Sequence, residues 1–207
     1  MREEKGRVPR ARKRASRLAP AERRAQLVAA AVSVFARRGL GASRHADVAA
    51  AAAVSLPAVF HYFPTREDLV RAVLDEVERL YLDMTVEAAA GTEARDRLLR
   101  HARAFVRSVD THPDHARVWL DWSTAVRDQL WRRYLAFNER VLREVEATIR
   151  RGRRDGSVAE DVVAKDAARL FVAAAYAVMQ MKLAGSTPAE VERFLASVVR
   201  AVTGTRG

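Results

Sequence analysis

The side chains able to do chemistry are unevenly placed along this 207-residue chain. There is no cysteine, which removes disulfides, thiolate metal sites and thiol nucleophiles. His112 and His115 stand three apart with Asp114 between them, a spacing that could serve a metal ion. Pro113 restarts a helix at that point, however, and no third ligand or further histidine is near in sequence, so a helix start is the expected reading. No glycine-rich phosphate loop or nucleophile motif occurs, so neither an enzyme nor a cofactor is expected. A helical enzyme stays as an alternative.

What stands out is positive charge. Lys and Arg number 37 against 26 Asp and Glu, a net charge of +11. Residues 1–66 hold 14 basic and 4 acidic side chains, whereas residues 67–207 hold 23 and 22. A basic front on a neutral body points to a polyanion-binding module attached to something else. Eight of the basic residues lie within residues 1–19 beside only two acidic ones, with no apolar period. That stretch is expected to be a flexible solvated arm, or an arm that orders on nucleic acid, and both can hold. No apolar core follows it, so it is not a secretory signal. The most apolar run, Leu170 to Met181, is too short to span a bilayer and is followed by Lys182. A cytoplasmic, nucleoid-associated protein with no membrane partner is expected.

Nine Gly and six Pro are few for an all-β chain, and alanine favours helix. Pro20 suits a first helical position, Leu27, Ala31, Val34 and Phe35 recur at helical spacing, and Gly39 ends the element. Ser43 is expected to cap a second, short helix containing Val48, Ala49 and Ala52. Ser55 should cap a third, with Pro57 in its first turn, running to about Phe63. Thr65 should cap a fourth with Glu67 and Asp68 in its first turn, where they suit the helix dipole. Its apolar stripe runs Leu69, Val73, Val77, Leu80, Met84, and Gly91 closes it. Thr92 opens a fifth, and the sixth, after His112-Pro113, carries Trp119 and Trp122. A seventh holds Leu130, Tyr134, Phe137, Val141, Val145 and Ile149 and gives way to a turn at residues 150–156. The eighth, about Val162 to Leu183, is apolar nearly all round, and the ninth starts at Pro188. No segment sustains period-two alternation, so the expected fold is all-α with about nine helices. Its expected parts are the arm (1–19), a helix-turn-helix (20–66) and a helical body (67–207). In a helix-turn-helix the second short helix enters the major groove, although any small helical bundle shows similar periodicity.

The residues of this region carry a more specific likeness. Gly39-Leu40, Ser43, Asp47-Val48-Ala49, Ala52-Ala53-Val54-Ser55, Phe60-His61-Tyr62-Phe63 and Arg66-Glu67-Asp68-Leu69 resemble the pattern of the TetR DNA-binding domain. The stretches FARRGLG, HADVA, FHYFPTREDLV and VWLDWSTAVRDQLW further resemble the LuxR/HapR/SmcR branch, the quorum-sensing master regulators of Vibrio. Ala53 departs from the usual turn glycine, and a turn of slightly different conformation is expected. Phe60 stands for the common Tyr, Ala58 for a Thr, and His61 for the branch's Asn.

The resemblance implies a homodimeric transcriptional regulator on a double-stranded, pseudo-palindromic operator. Ser43 and Ser55 would sit at helix N-termini, whose free N–H groups suit phosphate. Arg44, Tyr62 and Arg66 would contact the backbone. Leu56, Pro57, Ala58 and His61 lie on the expected recognition helix. Pro57 and Ala58 offer only apolar contact, for instance to a thymine methyl, and His61 is either a base reader or a solvent-facing histidine. Arg10 and Arg12 resemble the branch's arm, reaching an A·T-rich minor groove or simply attracted to phosphate.

The neutral body needs a reason, and dimerisation and ligand sensing are the two available. Helices eight and nine are apolar enough to require burial, and TetR proteins dimerise through a four-helix bundle there. Trp119, Trp122, Phe105, Tyr134 and Phe137 are plain core or the wall of a pocket. Asn138 shares the face of Tyr134, Val141 and Val145, where an unpaired amide costs ~1–3 kcal/mol. In the resembled branch the positions of Trp119 and Asn138 line a pocket, and Leu80 is a further carry-over. Met179 is adaptable lining or filler. A hydrophobic small molecule is the expected ligand. A nonspecific architectural DNA binder shares the charge asymmetry and stays as the other alternative.

Overall fold

The computed structural model describes residues 18–88, 90–125 and 128–204. Among them the backbone forms nine helices: α1 (Pro20–Arg38), α2 (His45–Ala51), α3 (Leu56–Tyr62), α4 (Arg66–Ala88), α5 (Ala94–Thr111), α6 (Pro113–Thr124), α7 (Asp128–Asp155), α8 (Ala164–Leu183) and α9 (Pro188–Thr203). None is long and apolar enough to cross a membrane.

Local chemistry sets most of the ends. Pro20 opens α1, where its missing N–H costs nothing, and the Glu22 carboxylate accepts the Ala19 N–H at 2.9 Å. Gly39 closes it at φ +81°. At α4 the Thr65 hydroxyl accepts the Asp68 N–H at 3.1 Å, and Asp68 returns the bond to the Thr65 N–H at 3.1 Å. At α9 Thr187 and Glu190 form the same reciprocal box.

Three expected boundaries shift. Arg44, not Ser43, is the N-cap of α2, because the Asp47 carboxylate takes the Arg44 N–H at 3.0 Å. Glu93, not Thr92, is the N-cap of α5. The stretch 150–156 is not a turn: α7 continues through it to Asp155, and only Gly156, at φ +81°, breaks it. Gly152 is there for proximity. A Cβ on it would come within 2.5 Å of Ala94 Cβ and of Val158 Cγ2, so α7 and the start of α5 meet backbone to side chain.

The turn between α2 and α3 also differs from expectation. Ala53 keeps the left-handed conformation that a glycine would take, at φ +53°. The Val54 N–H closes the turn on the Ala49 carbonyl at 3.0 Å. The geometry is preserved and the residue bears the strain, ~1–2 kcal/mol for a Cβ in this region.

The main core joins the first three helices to the body. Leu27, Phe35, Val48, Val59 and Phe63 share one continuous apolar cluster with Leu69, Val77, Trp119, Trp122 and Phe137. A second cluster, containing Leu98, Ile149, Ala168 and Val199, packs the far ends of α5, α7, α8 and α9. α8 is not enclosed on every side within one chain: Leu170 is 64% exposed and Leu183 66%.

The strain at Ala53 generates a test. Ala53→Gly relieves it, less the ~0.4–1 kcal/mol that a freer unfolded chain takes back. The variant should gain about 1 kcal/mol, a rise in Tm of roughly 2–4 °C for a chain of this size. An unchanged or lower Tm in a thermal melt would show that the turn is not strained.

Candidate nucleic-acid interface

α3 is held by its buried side. Val59 is fully buried and Phe63, its C-cap residue, is 1% exposed. The opposite side is open: Ser55, Leu56, Pro57, Phe60 and His61 are exposed, with Ala58 and Tyr62 half-buried. Ser55 is the N-cap, but its hydroxyl makes no cap hydrogen bond: Pro57 supplies no N–H and the next amide, that of Ala58, goes to the Ser55 carbonyl at 3.0 Å. It is the Ser55 hydroxyl that is left for an outside partner. The His61 ring meets Tyr62 edge-on, with centroids 5.1 Å apart.

His45, which sequence reasoning passed over, fixes α3 from behind. Its buried ring stacks on Phe60 at 4.3 Å and 10°, and its Nε2–H donates to the Phe63 carbonyl at 2.8 Å. One side chain at the start of α2 therefore grips both the middle and the end of α3. The only sequence signal was a histidine amid small residues. Arg24 adds a cation over the Phe63 ring at 5.4 Å.

Two expected phosphate contacts turn out to be internal. Ser43 is fully buried, and its hydroxyl donates to the Gly39 carbonyl at 2.8 Å. Arg66 turns inward: Nη2 donates to the Leu40 carbonyl and to the Gly41 carbonyl at 3.1 Å, and Nε to the Ser43 carbonyl at 3.4 Å. The same turn gives its Leu40 N–H to the Asp121 carboxylate of α6 at 2.7 Å. Arg44 is exposed. Arg10 and Arg12 lie outside the described residues.

In the body a cavity of about 70 Å³ lies among α4 to α9, with Tyr81, Phe105, Trp119, Phe137 and Asn138 in its wall. Trp119 is braced by Phe105 at 5.5 Å and Tyr176 at 5.0 Å. Asn138 is half-buried on this wall. The expected lining is otherwise corrected. Trp122 is fully buried core, with its indole N–H given to the Leu130 carbonyl at 2.8 Å. Met179 is 2% exposed and packed in the core, and Leu80 faces a separate groove beside Ala104 and Arg107. Their helical period matched the pocket residues, but their rotation about the helix axis did not.

Two polar groups on this wall were missed. The Tyr81 hydroxyl is buried without a hydrogen-bond partner among the described residues. Burial pushes it well above the usual phenol range, offset in part by Ser108, whose own proton is committed to the Phe105 carbonyl at 2.7 Å. His101 meets Phe171 edge-on at 5.6 Å, and burial lowers its pKa to about 4. Both continue apolar stripes, four after Val77 and three after Leu98, where a polar side chain is itself a signal.

A short exposed helix, steadied by a helix at its back and joined to it by a tight turn, defines a helix-turn-helix DNA-binding protein. Residues 27–73 match the model for bacterial regulatory proteins of the tetR family. The HTH-type transcriptional regulator LuxR of Vibrio harveyi is 31% identical over 88% of this chain and 89% of its own. The chain belongs to the TetR family of transcriptional regulators. Over a shorter stretch, 45% of this chain and 43% of its own, the HTH-type transcriptional activator FasR of Mycolicibacterium smegmatis is 35% identical. The fold matches a TetR-like regulator from Rhodococcus sp. RHA1 with a TM-score of 0.75 and 21% identity, over 91% of this chain and all of that one. It also matches the regulator FadR of Bacillus subtilis in complex with stearoyl-CoA, with a TM-score of 0.73 and 17% identity over 88% and 99% of the two chains.

Two outcomes follow from this geometry. Arg66→Ala leaves three turn carbonyls without their donor and should lower stability by about 2 kcal/mol. Arg44→Ala should stay within ~0.5 kcal/mol in the same denaturant titration. Equal midpoints would remove Arg66 from the turn. For His101 the folded pKa lies below the ordinary histidine value of 6.5, so the unfolded chain binds the proton first. Its contribution is complete above pH 6.5 and is lost as pH falls toward about 4. His101→Phe should flatten the fall of stability across that window; an unaltered profile would place the ring in solvent.

Proposed function

We propose that the protein is a cytoplasmic, homodimeric regulator that reads a pseudo-palindromic operator through α3 and answers to a small apolar ligand in the body cavity. The observation that carries the reading is the split of α3 into a buried side anchored by Val59 and an exposed side from Ser55 to His61. In this reading residues 1–19 are an arm, 20–66 the DNA-binding head and 67–207 the dimerisation and ligand body. His61 reads a base edge, Leu56, Pro57 and Ala58 make apolar contacts, and Ser55, Arg44 and Tyr62 meet phosphates. Arg10 and Arg12 supply charge from the arm. Two chains pair through α8 and α9, which covers Leu170, and set their recognition helices about 34–36 Å apart.

Ligand and DNA are linked through α6. Trp119 stands in the cavity wall, and two residues later Asp121 holds the Leu40 N–H of the head. That a structural relative, FadR of Bacillus subtilis, is described in complex with stearoyl-CoA supports a ligand with an apolar part for a body of this fold.

The test combines assembly with base preference. Sedimentation at micromolar concentration should give a dimer, and palindromic DNA should outcompete random DNA at a fixed, stated salt concentration. His61→Ala should cost roughly 1–3 kcal/mol at particular operator positions and nothing on random sequence. A stable monomer sinks the dimer. Equal competition by random DNA would instead favour a nonspecific architectural binder, and an unaltered base preference removes His61 as a reader.

A further inference from the structure

The cavity beside Trp119 does not end at His101. A second cavity of about 80 Å³ lies against the same ring, so that His101 lines both. The two have opposite chemistry. The first is walled mainly by aromatic and aliphatic side chains, with Asn138 among them, and its wall holds no Lys, Arg, Asp or Glu. The second is walled in part by Arg97, Arg151, Glu144, Thr85 and Thr148.

His101 is suited to stand between them. Part of its surface is accessible, yet protein surrounds it closely enough that burial alone holds the ring neutral. By geometry, His101 lines both cavities. It has the Phe171 ring edge on one side and makes no hydrogen bond among the described residues. In the second cavity Arg97 spends its Nε on the Gly91 carbonyl at 2.5 Å. Arg151 feels the Asp155 carboxylate but makes no hydrogen bond or close ion pair among the described residues. The wall itself carries two guanidinium groups against one carboxylate, Glu144, and Asp155, outside the wall, acts on both guanidinium groups.

We infer that the two cavities are one bipartite site for a small amphiphilic monocarboxylate, its short apolar tail in the aromatic chamber and its carboxylate beside Arg97 and Arg151. This rests on reading the body as a ligand-binding domain, and it specifies the ligand's class. Size limits the tail. The chambers together come to about 150 Å³, comparable to a cavity that holds benzene and too small for a long acyl chain. Charge limits the head. Two guanidinium groups against one wall carboxylate match a monoanion, and a phosphate dianion would face Glu144 with a charge left over. The Tyr81 hydroxyl and the Asn138 amide bound the tail chamber and favour a ligand that also brings a hydrogen-bonding atom to that end.

Calorimetric titration of the full-length protein with hexanoate, hexanamide and hexan-1-ol tests this. Hexanoate should bind at least about tenfold more tightly than the two uncharged probes, the ordinary worth of a charge-assisted contact. Arg151→Gln should abolish that advantage and leave hexan-1-ol binding unaltered. Hexanoate should also shift the His101 ring signals in the NMR spectrum of the wild-type protein. Equal affinity for all three probes, no binding at millimolar concentration, or a uniform loss in Arg151→Gln would each overturn the inference. Operator affinity measured with and without hexanoate separates the two readings. Arg151-dependent binding that leaves operator affinity untouched upholds the bipartite site and sinks only its regulatory role.

Discussion

The position of α3 and of the head that carries it depends on the satisfied polar groups of one turn, residues 39–43. A turn pressed against a core cannot leave its amides and carbonyls unmet. Here Gly39 at φ +81° swings the chain so that the Leu40 N–H meets Asp121 of α6, while the carbonyls of Leu40, Gly41 and Ser43 meet Arg66 at the start of α4. The Ser43 hydroxyl closes the turn on itself. Apolar contact between head and body is non-directional and would tolerate sliding. Charge-assisted bonds from two separate helices fix the angle at which the head is carried.

A second set of charges does the same for the cavity. Arg133 of α7 reaches Asp75 and Glu78 of α4, both at 2.6 Å, and its guanidinium lies 5.8 Å from the Trp122 ring centre. Arg133 and Glu78 are partly shielded from water, and the set links two helices that wall the cavity. Many other ion pairs join residues three or four apart on one exposed helix face, such as Arg79 with Glu76 and Arg100 with Asp96. Pairs of that kind contribute little.

What could be read in the sequence follows the range of the forces involved. Helix ends set by a neighbouring proline, glycine or Thr-x-x-acid box were legible, as at Pro20, Gly39 and Thr65, because their causes lie within four residues. The all-α fold and the family were legible from the periodicity and from residues 39–74. Less legible was anything decided by rotation about a helix axis or by a distant partner. Trp119 and Trp122 sit one turn apart on α6, yet one lines the cavity and the other is sealed by Leu130 and Phe137. Arg66 reads as a phosphate contact until the turn it serves, more than twenty residues earlier, comes beside it. His45 and His101 acquire meaning only from Phe60, Phe63 and Phe171.

The continuity of the main core has a practical side. Regulators with separable heads invite recombination, one reader grafted to another sensor at the junction between them. In this chain Phe35 and Val48 share their packing with Trp122 and Phe137, and the turn's hydrogen bonds are supplied by α4 and α6. A graft cut at residue 66 would carry the head away from the apolar cluster it shares with the body and from Asp121. A working hybrid has to be divided along a packed surface, taking the inward faces of α4 and α6 with the head, so the unit that can be exchanged is larger than the part that touches DNA.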